Sequence, residues 1–289
     1  MTAPHSLAPG SRFGPYEIIG EIGLGRNAVY YLAAGGVALE VFGDHREDAS
    51  IAMRVDEARL ATLLDHPNLV RLLAAGQIDG EWFLAHEYID GESVWQIRSR
   101  RGGAAWSAAE AVALALGVTA GLGYLHDSTA RDGTPMHWVH RKLDPSTVFV
   151  TRDGKVKIND FALAPRDAGI DPRISRYLSP EQVRGLPIDR RSDLFALGTM
   201  LYELTTGRRP FDGEDDFAML LAVREGVLVQ PSARVAGYSS ELERIVVRAL
   251  ERDLEIRYQT AGELARDLRA IVQAESLDVS ARVLASLLA

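Results

Sequence analysis

The sequence predicts an α+β fold of two unequal lobes, a small five-stranded antiparallel lobe carrying one helix, followed by a larger, mainly helical lobe. Three observations predict it. Up to about Tyr88, short apolar or alternating runs are punctuated by Gly and Asp, the signature of short strands. After Gly91 the apolar residues recur at helical spacing, and several of these runs end at Gly. The chain has 289 residues, 47% hydrophobic and 25% charged, enough for a large core in two lobes.

In chain order, residues 1–12, opening "MTAPHSLAPG", read as a flexible Pro/Gly leader. The first lobe covers 13–88. Its strands are "YEIIGEIG", "AVYYLAA", "GVALEVF", "LVRLLAAGQID" and "EWFLAHEYI", interrupted by the helix "IAMRVDEARLATLL", whose apolar face is expected at Val55, Ala58, Leu60 and Leu63. The connection and larger lobe cover 89–272. Their helices are "SAAEAVALALGVTAGLGYLHDS", "RSDLFALGTMLYELTTG", "FAMLLAVREG", "ELERIVVRALE" and "TAGELARDLRAIVQ". Ser107 is expected to cap a helix and Asp153 to sit in a turn. Residues 127–135 read as a solvent loop. In the tail, 273–289, Leu277, Ala281, Leu284 and Leu288 share a helical face that is expected to pack on the chain's own large lobe.

A net charge of -8 offers no basic stripe for nucleic acid; the densest basic run, Arg98, Arg100 and Arg101, reads as a solvated helix end. With no cysteine there is no disulfide framework, thiolate nucleophile or Cys-based zinc site, and a reducing cytoplasm fits. No stretch approaches the roughly 20 apolar residues of a membrane span. His137 and His140 stand three apart in "HWVH", without a carboxylate at a recognised metal spacing.

The chemistry lies in an ordered series of motifs. "IGLGRNAVYYLA" puts Gly23 and Gly25 between two strands, where a Gly-rich turn brings backbone amides close to phosphate oxygens. "VALE" follows at 37–40, "HRKLDPST" at 140–147, "NDFALA" at 159–164, "LSPE" at 178–181 and "SDLFALG" at 192–198. In this order they resemble the bacterial eukaryotic-like (Hanks-type) Ser/Thr protein kinase family over about residues 13–272. The resemblance implies a bilobal protein kinase-like fold. It also implies nucleotide-site equivalents at Gly23, Gly25, Ala28, Tyr30, Ala38, Glu57, Glu87, Phe149 and Asp160.

The carry-over is uneven. Glu57 matches the helical glutamate that pairs with a lysine on the third strand, but "VAIK" reads "VALE" and Glu40 takes the lysine's place. Two carboxylates about 4 Å apart would repel by roughly 4 kcal/mol at an effective dielectric of 20. Glu40 is therefore expected to turn away, protonate or find a cation, with Arg26, Arg54 and Arg59 as candidates. The family's "HRD" reads His140, Arg141, Lys142; a protonated lysine cannot accept a hydroxyl proton. Asp144 stands where a phosphate-facing cation is expected, and Thr147 where an asparagine would hold the second magnesium. Asp160 alone keeps its metal-binding identity; otherwise no metal site is expected. Ala28 replaces a third glycine, and Tyr30 and Phe149 replace aliphatic residues above and below the base, so a self-filled pocket is expected.

The resemblance also implies structural roles. Asp193 would hold the catalytic-loop backbone, Glu181 and Arg257 an ion pair, and His140 and Phe161 a hydrophobic spine. Between Asp160 and Glu181 only Ser175, Tyr177 and Ser179 carry hydroxyls; Arg141 is expected to pair with Asp167 or Asp171 rather than with a phosphorylated residue.

With Lys, Asp and Asn gone from positions 40, 142 and 147, the expected function is that of a cytoplasmic pseudokinase. It would lack phosphotransfer, need no cofactor and act as a scaffold or allosteric regulator on a protein partner in signalling. Two alternatives stay open. One is an unconventional Ser/Thr kinase with Lys142 and Asp144 in exchanged roles and Arg26 supplying the missing cation. The other is a nucleotide sensor that binds ATP with magnesium through Gly23, Gly25 and Asp160 without turnover.

Overall fold

The computed structural model describes residues 7–24, 28–42, 49–130, 132–160 and 175–289. Described residues up to Asp90 form one compact unit and those from Gly91 onward a second.

The first unit is built on β1 (Arg12–Phe13), β2 (Tyr16–Leu24), β3 (Ala28–Ala33), β4 (Val37–Phe42), α1 (Ala49–Ala61), β5 (Leu72–Ile78) and β6 (Glu81–Glu87). The strands pair antiparallel in the order β1-β2-β3-β4-β6-β5. The sheet thus has six strands rather than five, the extra one being the two-residue β1 at its edge. Asp79 and Gly80, both at positive φ, close the β5–β6 hairpin between paired Ile78 and Glu81. An Asp-Gly pair is favoured there because a two-residue hairpin needs left-handed backbone at both positions. One face buries Phe13, Ile18, Val29, Tyr31, Leu39, Val41 and Phe83, with the Phe13 and Phe83 rings edge-on at 5.8 Å. The buried face of α1 is Ile51, Val55, Ala58 and Ala61, while Leu60 and Leu63 are exposed. The expected face therefore has to be corrected. Leu60 lies five residues, about 140°, around from Val55, and Leu63 falls beyond the helix end.

The second unit contains β7 (Gly91–Ser93), α2 (Val94–Arg100), α3 (Ala108–Asp127), β8 (Val148–Thr151), β9 (Val156–Ile158), α4 (Pro180–Val183), α5 (Arg190–Thr206), α6 (Asp216–Glu225), α7 (Ser240–Ala249), α8 (Ala261–Ala274) and α9 (Ala281–Ala285). Strands β7, β8 and β9 form a small antiparallel sheet. Side-chain caps fix the helix starts: Ser93 with Gln96 on α2, Ser107 with Glu110 on α3, and Ser179 with Gln182 on α4 close reciprocal capping boxes. Helix α5 is buried from Ser192 to Thr206 and serves as the unit's central post. Gly198 lets it cross α7 closely, since a Cβ there would stand 2.7 Å from that of Ala249.

Two expectations are corrected here. By length and composition α3 could cross a membrane, but more than half of that apolar window is buried inside the unit. The basic run is not simply solvated: Arg98 pairs with Glu203, Arg100 with Glu92, and Arg101 with Glu110.

After α8 the chain turns at Ser276, in left-handed backbone, before α9 and a final 3-10 turn. Leu284 and Leu287 are buried, Ala281 is exposed, and Arg100 donates to the Leu287 carbonyl at 2.6 Å. Gly154, at φ +77°, lies so close to α9 that a Cβ would collide with the Ala281 carbonyl. Gly154→Ala is therefore expected to cost about 1–3 kcal/mol through backbone strain alone. An unchanged thermal midpoint would contradict that packing.

Candidate active site

The site residues fall into two groups, one on each unit. In the first unit, Glu40 on β4 lies directly opposite Tyr30 on β3, so both side chains leave the same face of the sheet. Glu40 is 2% exposed, and a carboxylate buried that deeply must be paired. Arg54 of α1 supplies the partner, its Nη2 3.1 Å from each carboxylate oxygen. The Tyr30 hydroxyl donates to Oε1 at 3.0 Å, and His86 Nε2 lies 4.0 Å from Oε2. The Arg54 guanidinium also stacks over Phe42, 5.1 Å from the ring centroid.

Of the three candidate cations, Arg59 is committed to Asp56 at 2.7 Å, and Arg26 lies outside the described residues. Glu57, one turn along α1 from Arg54, is half-buried and forms no ion pair with a described residue. The strand-to-helix ion pair is thus present with its signs reversed. Tyr30 spends its hydroxyl on Glu40. Ala28 is buried, Ala38 faces His86 across the strands, Gly23 pairs with Tyr30 in β2, and Glu87 accepts the Arg71 N–H at 2.9 Å. Gly25 lies outside the described residues.

In the second unit, Asp193 of α5 organises the loop before β8. Its carboxylate accepts the backbone N–H groups of His140 at 2.8 Å and Arg141 at 2.9 Å, and His126 Nε2 lies 2.8 Å away. Burial works to raise the Asp193 carboxyl pKa. The hydrogen bond and charge of His126, with smaller help from His140, hold it below the ordinary value. His126 is a residue that sequence reasoning missed; its only signal is a lone histidine ending an otherwise apolar helix. Arg141 takes left-handed backbone, and its carbonyl accepts from Gln182 at 2.9 Å.

The His140 ring is fully buried. Its Nε2 lies 2.9 Å from the Asn159 carbonyl and its Nδ1 faces the Lys142 N–H at 3.3 Å, an arrangement that suits the neutral tautomer. Burial lowers its pKa, against the pull of Asp193.

The Lys142 ammonium lies 3.9 Å from Asp160 Oδ2, both side chains being partly exposed. Asp144, by contrast, is 4% exposed, and its Oδ1 accepts the Ser146 N–H at 2.5 Å and the Ser146 hydroxyl at 2.6 Å. Burial raises its pKa, partly offset by the Ser146 hydrogen bonds. The simple exchange of roles between Lys142 and Asp144 is therefore not what the geometry supports. Lys142 meets Asp160, while Asp144 caps its own turn. Thr147 is also buried; its hydroxyl accepts the Asp144 N–H at 3.1 Å and bonds the Asp144 carbonyl at 3.0 Å. Phe149 is half-buried in β8, between Ser93 and Lys157 on the neighbouring strands. Phe161, Asp167 and Asp171 lie outside the described residues.

Two ion-pair centres anchor the chain after the segment that follows Asp160. Glu181 takes Arg257 at 2.8 and 3.2 Å and the Ser192 hydroxyl at 2.6 Å, all buried. Glu203, also missed from sequence, receives the Tyr177 hydroxyl and pairs with Arg98 at 3.1 Å and Arg209 at 3.3 Å. Burial, then the charge of Glu203, pushes the Tyr177 hydroxyl pKa well up. Tyr177 and Ser179 are both buried and hydrogen-bonded, Ser179 as the cap of α4.

A protein kinase domain family model matches residues 16–267. The chain belongs to the protein kinase family. Among curated proteins, it is 33% identical to the tyrosine-protein kinase MasK of Myxococcus xanthus, over 90% of this chain and 43% of the relative. It is 30% identical to the serine/threonine-protein kinases PrkC of Bacillus subtilis, over 92% of this chain and 42% of the relative, and PknB of Mycobacterium tuberculosis, over 93% and 44%. The chain thus spans less than half the length of these relatives. Among solved structures, the PknI kinase domain of M. tuberculosis aligns with a TM-score of 0.70 over 92% of this chain and 99% of that one, at 24% identity, which speaks for the fold.

This is a bilobal kinase domain of the bacterial Hanks-type family. The expectation that the chain is no enzyme is corrected by these relatives, which are named as kinases. The expectation of no cofactor is not supported either, because protein kinases draw on ATP with magnesium.

The residues on the second unit do not fit the usual two-ion arrangement. That arrangement needs an asparagine or an equivalent oxygen beside the Asp160 position. Here the Thr147 hydroxyl is buried in its own turn, Asp144 is committed to Ser146, and Asp160 faces an ammonium. No group of three His, Asp or Glu among the described residues is placed to hold a metal ion.

Proposed function

We propose that the chain is the phosphotransferase domain of a bacterial signalling kinase, which binds a nucleoside triphosphate and passes its terminal phosphoryl group to a hydroxyl on a protein partner in the cytoplasm, breaking the β–γ phosphoanhydride bond, forming a phosphate ester and releasing the nucleoside diphosphate, with the hydroxyl proton passing to solvent. The observation that carries this reading is the Lys142 ammonium held 3.9 Å from Asp160. Phosphoryl transfer runs through a loose transition state, so the protein contributes mainly positioning and positive charge, and an accepting carboxylate at position 142 is not the largest contribution. Lys142 supplies such a charge, and Asp160 orients it.

In the first unit the reversed Glu40–Arg54 pair keeps strand and helix joined, as a pair of the usual polarity would. The relatives are named as serine/threonine and tyrosine kinases, which supports a side-chain hydroxyl as the acceptor in this reading. Asp144, buried on Ser146, takes no part as a base in this reading.

The test is incorporation of labelled terminal phosphate from ATP into the chain itself or a generic protein substrate, followed by phosphoamino-acid analysis, in magnesium, in manganese and in EDTA. Transfer is expected in at least one condition, reduced on the order of tenfold or more by Lys142→Ala and by a smaller factor by Asp160→Ala, which leaves the ammonium in place. No incorporation in any of the three would overturn the reading.

A further inference from the structure

We infer that the phosphate-facing site of the second unit works without a divalent cation, with the Lys142 ammonium as its counter-charge. The inference rests on the phosphotransferase reading for its ligand, the triphosphate of a nucleoside triphosphate.

The donor set carries it. Magnesium demands near-octahedral oxygen ligands at about 2.0–2.1 Å, usually one or two carboxylates with substrate phosphates and water, and here the carboxylate at the position stands beside a cation. Asp160 is that carboxylate, and the Lys142 ammonium lies 3.9 Å from it. A metal ion bound to Asp160 would sit against the ammonium and be repelled by it.

Among the described residues, the loop oxygens that could join Asp160 in a shell are committed elsewhere. Thr147 Oγ1 is buried between the Asp144 N–H and carbonyl, and the Asp144 carboxylate receives two hydrogen bonds from Ser146. The Asn159 carbonyl takes the His140 ring. Recruiting any of these oxygens would mean breaking a satisfied interaction, fully buried at Thr147 and partly buried at Asp144 and Asn159.

Lys142 itself is suited to an anion. Its side chain is 36% exposed, so the ammonium can take a phosphate oxygen while staying beside Asp160, itself 27% exposed. An ammonium on a flexible stem binds phosphate as a point charge and needs no fixed geometry.

The test is equilibrium binding of ATP to the purified chain in EDTA, in magnesium and in manganese, alongside Lys142→Ala and Lys142→Asp. Position 142 is partly exposed, so both variants are expected to fold, which circular dichroism checks. The wild-type dissociation constant is expected to agree within about twofold across the three conditions, because the counter-charge is covalently part of the chain. Lys142→Ala should weaken binding in EDTA by on the order of tenfold. Lys142→Asp sets a second carboxylate beside Asp160, and its binding should become dependent on the divalent ion.

Tightening of wild-type binding by tenfold or more on adding magnesium would overturn this inference and leave the phosphotransferase reading standing. Absence of binding in all three conditions would overturn both.

Discussion

Arg257→Met is expected to lower the stability of the second unit by about 3–5 kcal/mol, the usual cost of removing one partner of a buried ion pair. Arg257 is fully buried. Two of its nitrogens lie on Glu181, its Nε donates to the Glu251 carbonyl at 2.7 Å, its Nη1 also donates to the Arg191 carbonyl at 3.1 Å, and its guanidinium stacks on Phe195. Methionine fills much of the volume but leaves Glu181, among the described residues, with only Ser192 as a side-chain partner.

The pH dependence has a definite sign. Burial acts to raise the Glu181 carboxyl pKa, but the Arg257 hydrogen bond and charge hold it below its ordinary value. The pair's contribution is therefore present above the ordinary carboxylate pKa and is lost as pH falls through the lower folded value. In the variant that acid-side loss should disappear, because burial without Arg257 penalises the ionised Glu181 and protonation relieves it. Replacing both partners, Glu181→Leu with Arg257→Met, should cost less than the single change, because no buried charge is stranded. Denaturant unfolding of the three proteins checks the ordering. A single-variant loss under about 1 kcal/mol would show that the pair is not an anchor.

The second large effect is expected in the first unit. Glu40→Lys sets an ammonium against Arg54 at a buried position, and Arg54→Glu sets two carboxylates there. Like charges about 4 Å apart cost roughly 4 kcal/mol at an effective dielectric of 20, so either change alone should destabilise by a comparable amount after partial relaxation. Made together, the two substitutions rebuild the pair with the opposite polarity, and most of the loss should return. A double-mutant cycle on thermal or denaturant unfolding is expected to give a coupling of roughly 5 kcal/mol or more, the two single losses less the small loss left in the double variant. Additive losses would mean that Tyr30 and His86 hold Glu40 without help from Arg54.

By itself the sequence determined the class of fold. The change from short strand runs to helical spacing near Gly91, the Asp79–Gly80 hairpin and the serine caps are local signals, each fixed by residues within a few positions of one another. The ordered motifs were equally legible, and so was the reversal of charge at positions 40, 142 and 144. Only the tertiary structure decided what those charges meet. Arg54 rather than Arg59 reaches Glu40 because the rotation of α1 about its axis turns Ile51, Val55 and Ala58 inward and points Arg59 at Asp56. Asp144 folds back onto Ser146 while Lys142, two residues earlier, reaches Asp160, a difference of loop conformation that no spacing rule encodes. His126 and His140 meet on Asp193 from 67 and 53 residues away. Reading signs one position at a time therefore suggested a lost reaction. A charge is repulsive or paired only in relation to its neighbours in space, and those neighbours are chosen by helix rotation and strand register.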